Sequence, residues 1–267
     1  MNELLDLLHP TLFGSMTMLF FFQAIILMLR SNGNKARRIL AYVAFAWGIC
    51  YLLRFVAIQS PDDDFAQSYS LLRSRVMVVG NFYIALMYLF PIEALLPGWL
   101  NRKRFLLLYL PIVAYTGLYY LVLALLGAEP LELHTYAELW ANIGSFDVWY
   151  RFVLLICNTV YIIAILMWLT RYESRYNQWK NNNFADQEYM DVSWMKAYML
   201  FIVLIFGAFL FGLFYGSKLP VFIHGAVVAV AFSYIFYKGL FYESPYPEDF
   251  FKDMKFPPPL RNRKMLI

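Results

Sequence analysis

Seven apolar stretches, at 11–29, 39–58, 76–97, 105–126, 152–170, 197–215 and 219–237, alternate with short polar connections along the chain. A helix of about 20 apolar residues covers the hydrocarbon core of a bilayer. Within these windows only Arg54 and Glu93 are charged, both near a helix end. A helix of a soluble core would carry a polar face at 3.6-residue spacing, and these stretches do not. The pattern predicts an all-α polytopic membrane protein, a seven-transmembrane helix bundle. Composition supports it, with 61% hydrophobic, 20% aromatic and 15% charged residues.

Basic residues fall mainly on alternate connections. Arg30, Lys35, Arg37 and Arg38 lie on the first, Arg102, Lys103 and Arg104 on the third, and Arg171, Arg175, Lys180 and Lys196 on the fifth. Lys238, Lys252, Lys255, Arg261, Arg263 and Lys264 follow the last stretch. The other side has Arg54, Arg73, Arg75, Arg151 and Lys218 near helix ends, with the acidic runs Asp62-Asp63-Asp64 and Glu129, Glu132, Glu138. Because Lys and Arg are retained in the cytoplasm, this predicts the N-terminus outside and the C-terminus cytoplasmic. The net charge of +4 then reflects topology, and no direct nucleic-acid binding is expected.

The division expected is a transmembrane domain over 1–240 and a tail over 241–267. Pro245 and Pro247 stop the last helix, and Pro257-Pro258-Pro259 forms a stiff spacer, either docking a partner itself or leading to an effector. Glu3 and Asp6 replace the basic start of a signal peptide, so the first helix is expected to stay. Between Glu132 and Trp149, Tyr136, Leu139, Trp140, Ile143 and Phe146 recur every three or four residues. That spacing fits a short interfacial helix or a loop packed on the helix ends. Cys50 and Cys157 fall inside predicted helices, where a thiol is ordinarily a small buried apolar group.

Catalytic signatures are missing. There is no HExxH, no GxSxG and no phosphate-cradling glycine loop, and His9, His134 and His224 have no metal-ligand spacing. The last helix has Lys218 and Lys238 at its ends and no lysine between for a retinal Schiff base. No catalytic residue, metal or cofactor is assigned.

Polar residues inside apolar spans are costly unless paired or hydrated, so they are the better guide. Counted from the predicted outer ends, Arg54, Asn81, Asn158 and His224 fall at one level about 6–9 Å deep, with Gln23 near the midplane. One reading is an outward-open pocket for a small, anionic extracytoplasmic ligand, with Arg75 and Arg151 at its rim. The other is a set of interhelical hydrogen bonds that holds the bundle together. Glu93, between Pro91 and Pro97, is placed to pair with Arg102, Lys103 or Arg104 across the turn, or with a Lys or Arg of a neighbouring helix, as a switch or as a simple helix-end anchor.

Two stretches carry a family resemblance. PIEALLPGWLNRKRFLLLYLP (91–111) and RYESRYNQWKNNNFADQEYMDVSWMK (171–196) resemble the seven-helix membrane domain of Bacteroidetes regulators. The resemblance implies a sensor whose cytoplasmic effector is an AraC-type helix-turn-helix or a histidine-kinase module, neither of which is present in these residues. The expected function is detection of an extracytoplasmic ligand and its relay to such an effector. A small-molecule transporter and a membrane assembly subunit are the alternatives. Expected partners are the lipid bilayer, the ligand, the effector and a second copy of the chain.

Overall fold

The computed structural model describes residues 2–59, 70–96, 98–183 and 193–242. These form α1 (Asn2–Leu29), α2 (Lys35–Gln59), α3 (Ser74–Met87), α4 (Leu89–Leu95) and α5 (Arg102–Leu126). The short α6 (Tyr136–Ala141) follows, then α7 (Phe146–Asn183), α8 (Trp194–Tyr215) and α9 (Lys218–Leu240). No strand occurs among the described residues. Seven helical stretches are long and apolar enough to cross a membrane, α3 and α4 together making the third. The chain is thus a multi-pass helical membrane protein. Residues 243–267 of the expected tail (241–267), Asp62 to Asp64 and most of the acidic part of the fifth connection lie outside the described residues. The end of the bundle where α1 begins is called here the amino face, and the end where α9 stops the carboxyl face.

Several elements begin earlier than the apolar windows suggest. α2 starts at Lys35 and α7 at Phe146, because polar residues of a first turn are compatible with helix even though they lower local hydropathy. Most spans bury only 22–39% of their apolar window, whereas the third buries 61%. It is the hub of the bundle: α3 and α4 between them touch α2, α5, α7 and α8. On the outer surface large apolar residues such as Leu106, Leu110, Leu121 and Leu125 of α5 stay exposed, as lipid contact permits.

Lipid tails are as apolar as leucine, so packing and hydrogen bonds, rather than transfer from water, hold such helices together. The packing here is aromatic. Phe20 stacks on Trp47 and Tyr51 and meets Phe232 edge-on at 4.6 Å, joining α1, α2 and α9. The hydrogen bonds come largely from tyrosines that donate to main-chain carbonyls of neighbouring helices. Tyr109 bonds Phe82 O (3.4 Å), Tyr150 bonds Tyr115 O (3.1 Å) and Tyr161 bonds Leu108 O (2.5 Å).

The third span is broken at Tyr88, and the cause is local. Pro91 has no N–H to give the carbonyl four residues earlier, that of Met87, and its ring crowds the same atom. The hydroxyl of Tyr198 on α8 supplies the missing donor to Met87 O at 2.5 Å. Pro111 interrupts α5 less, and Pro220 sits in the first turn of α9, where no intrahelical donor is needed.

Candidate functional site

Three polar groupings lie along the bundle. At the amino face, Arg151 and Asp147 sit one turn apart on α7 and form a buried pair, Nε to Oδ1 at 2.9 Å and Nη2 to Oδ2 at 2.5 Å. Arg151 is 1% exposed. Its remaining reach goes to main-chain oxygens, Nη1 to Leu72 O (3.3 Å) and Nη2 to Leu131 O (2.6 Å). Asp147 in turn accepts from the hydroxyl of Tyr119 on α5 and from Leu131 N. Leu72 has φ +47°, left-handed backbone that a branched side chain adopts only when other bonds hold it. Leu213 O takes its N–H and Arg151 takes its carbonyl. The pair therefore staples α3, α5, α7 and the connection before α6. Arg151 was expected at a pocket rim; the structure gives its guanidinium nitrogens four protein acceptors.

Next to this staple, α6 is a short helix within residues 132–149, one of the two forms expected there. Thr135 caps it by accepting from Glu138 N, and Glu138 reaches back to accept from His134 N. Those bonds hold the Glu138 carboxyl below the usual range, the His134 N–H contributing most. Leu139 is buried, Tyr136 and Trp140 are exposed, and the Tyr136 hydroxyl donates to Phe214 O.

The second grouping lies deeper. Asn81 on α3 and Asn158 on α7 are buried, and among protein groups Asn81 Nδ2 and both Nδ2 and Oδ1 of Asn158 have no hydrogen-bond partner. His224 is half-buried beside Phe209, ring centres 6.5 Å apart, and Arg54 lies over the Phe13 ring at 5.8 Å. Phe209 also fills the space over Gly80, so its ring stands between α3 and α9. Because α7 begins at Phe146, Asn158 is about 18 Å along its helix, and His224 is about 9 Å along α9. Gln23 lies about 9 Å from the carboxyl-face end of α1. Arg75 is exposed. A groove of about 930 Å³ opens on the outer side of α1 and α2, lined by Pro10, Gly14, Met18, Phe22 and Phe55, and none of the expected ligand residues lines it.

The third grouping is at the carboxyl face. Glu93, 2% exposed, pairs with Lys35 of α2 at 3.0 Å. Of the partners expected, the basic residue of a neighbouring helix is the one found, rather than Arg102 or Arg104 across the turn; the turn after α4 folds back so that Glu93 also accepts from Gly98 N (2.7 Å) and Leu100 N (3.2 Å). Left-handed Gly98, φ +76°, allows that turn. Arg104 bonds Trp99 O and stacks over its ring, while Arg102 is exposed at the start of α5. Beside this latch, Arg37 donates to Arg30 O, Gly239 O (3.2 Å) and Tyr242 O (2.6 Å). Asn34 also donates to Tyr242 O, and the Tyr242 hydroxyl donates to Ala94 O at 2.9 Å. The Tyr242 ring packs against Phe90 and Trp194.

Asp147, Tyr119, Lys35, Arg37 and Tyr242 were not singled out from the sequence. Only the Asp147–Arg151 spacing of one helical turn was a readable signal, obscured by starting the fifth span at residue 152. Among the described residues no group of three His, Cys, Asp or Glu side chains could hold a metal ion. No protein-family model, curated protein or solved structure matches the chain.

Proposed function

We propose that this chain is the membrane-embedded input domain of a signalling protein, with its amino face outside the cell and its carboxyl face in the cytoplasm. The observation that carries the reading is the grip on the exit of the last helix. Tyr242, where the described chain leaves α9, is held by the first connection through Arg37 and Asn34. It is held by α4 through Ala94 O and Phe90. A shift of α4 relative to α3, hinged at the Tyr88 break, is thereby passed to the residues that follow. Ligand binding among the helices near the amino face favours one arrangement of the third span, and the exit reports it. The basic first and third connections support the orientation. The resemblance of residues 91–111 and 171–196 to the membrane domain of Bacteroidetes regulators supports an AraC-type or kinase effector as the recipient.

A transport reading draws on the same break, since interrupted spans often form transporter sites. Here the freed carbonyl is already occupied by Tyr198, which favours a hinge over a coordination site.

The test is an effector fused after Ile267, with reporter output followed in cells as external solutes are varied. Arg37→Ala and Tyr242→Phe should uncouple output from solute while the protein still inserts. Output that responds equally in both variants rejects the grip as the relay. Impermeant thiol reagents on Glu129→Cys and Asn32→Cys, in a background lacking Cys50 and Cys157, test the orientation: Glu129→Cys should react from outside and Asn32→Cys should not.

A further inference from the structure

Asn81 and Asn158 carry an inference beyond the relay, one that names the ligand class of the sensing site and rests on that reading for its purpose. Both are nine-tenths or more buried, at 2% and 1% exposed. Their depths can be compared through α5, which runs antiparallel to α3 and α7 and packs on both. Tyr109 of α5 bonds Phe82 O, and Tyr161 of α7 bonds Leu108 O. Phe82 and Tyr161 are thus tied to adjacent residues of α5. Asn81 is one residue and Asn158 three residues toward the amino face from those ties, so the two fall within about one helical turn of the same depth. α3 and α7 also touch directly. On α5, Thr116 Oγ1 is buried and likewise has no hydrogen-bond partner among protein groups.

Amide groups held in an apolar interior without partners are costly, and a bundle that keeps them has a use or an occupant for them. We propose that Asn158, with Asn81 at about the same depth on the touching helix α3, forms a buried recognition site for a small neutral molecule bearing a planar donor–acceptor edge: a primary amide, a lactam or a similar heterocycle. A carboxamide whose N–H and C=O are both open pairs edge to edge with such a group through two hydrogen bonds, as Asn does with adenine. The Asn81 amide adds a further donor. Charge selects against ions. Arg151, two turns toward the amino face on α7, has its nitrogens committed to Asp147, Leu72 and Leu131. Asp147 is matched by Arg151, Tyr119 and Leu131. Neither leaves a counter-charge for an anion or a cation at that level.

The experiment uses the full chain in lipid nanodiscs, with unfolding followed by tryptophan fluorescence in the presence of acetamide, 2-pyrrolidone or acetate. Acetamide and acetate are nearly the same size and differ in charge. Acetamide and the lactam should raise the unfolding midpoint saturably and acetate should not. Asn158→Leu should abolish the shift while the unliganded midpoint holds or rises, because an unpaired polar group has been removed. Asn158→Ser, smaller and still polar, must lose the response too if leucine impairs insertion. No shift with either neutral probe, an equal shift with acetate, or a shift that persists in Asn158→Leu and Asn158→Ser overturns the proposal. Amide binding with no change in fused-effector output would reject the sensing reading and leave the site standing. Output that follows another solute, with no amide response, would reject the site alone.

Discussion

Replacing Arg151 by methionine removes one half of the buried pair and leaves the other half charged. Methionine keeps much of the volume, so the loss is mainly electrostatic. Truncating one partner of a buried ion pair costs about 3–5 kcal/mol, since the survivor keeps its desolvation penalty. Asp147 retains the Tyr119 hydroxyl and Leu131 N–H, which moves the expectation to the lower end, about 3 kcal/mol. Leu72, in its left-handed conformation, then keeps only its bond to Leu213 O. A double variant, Arg151→Met with Asp147→Leu, leaves no orphan charge, and its loss should shrink to about 1 kcal/mol for the remaining unpaired main-chain groups. Reversible unfolding in mixed micelles, read by tryptophan fluorescence, gives both values and their coupling. The reasoning fails if Arg151→Met loses less than about 1 kcal/mol, or if the double variant loses as much as the single. It fails also if phosphate stabilises the wild type but not Arg151→Met, because the guanidinium would then be open to an anion.

Other outcomes follow from single contacts. Tyr198→Phe leaves Met87 O without its donor and should cost about 1–3 kcal/mol; in a Pro91→Ala background, where residue 91 can donate again, the same change should cost distinctly less by the same unfolding assay. Gly80→Ala pushes a methyl against the Phe209 ring and should cost about 1–3 kcal/mol, with Phe209→Leu partly rescuing it. For α6 the sign with pH follows from a depressed carboxyl. Glu138 contributes its stabilisation above the ordinary glutamate range of about 4.3 and loses it as pH falls through its lower folded value. Acid below that value should therefore fray the cap and alter Trp140 fluorescence, and Glu138→Gln should remove that pH dependence while the rest of the bundle stays intact.

Much of the architecture was legible because apolar length and lysine–arginine spacing are one-dimensional properties. The positions of all seven spans could be read this way, although α7 began six residues early, since a helix whose first turn carries Asp147 and Arg151 does not look apolar. The distances of the polar residues from their helix ends were less legible: Asn158 lies further along its helix than His224 because α7 starts at Phe146. Glu93 also shows the limit. The sequence offered Arg102, Lys103 and Arg104 across the turn or a basic residue of some neighbouring helix; that it is Lys35, 58 residues away in sequence, follows only from α2 packing on α4.

Hydropathy by itself determined that this chain crosses a membrane many times, because a bilayer admits only helical segments of sufficient apolar length here. Charge placement, with lysine and arginine near the helix ends, supports the direction proposed for that path. Which polar groups meet was decided only by the tertiary structure. Contacts such as Arg151 with Leu72 and Leu131, or Tyr242 with Arg37 and Ala94, depend on the rotation and tilt of each helix about its neighbours. Those angles come from the packing of aromatic rings and from the break at Pro91, and no local pattern in the chain encodes them.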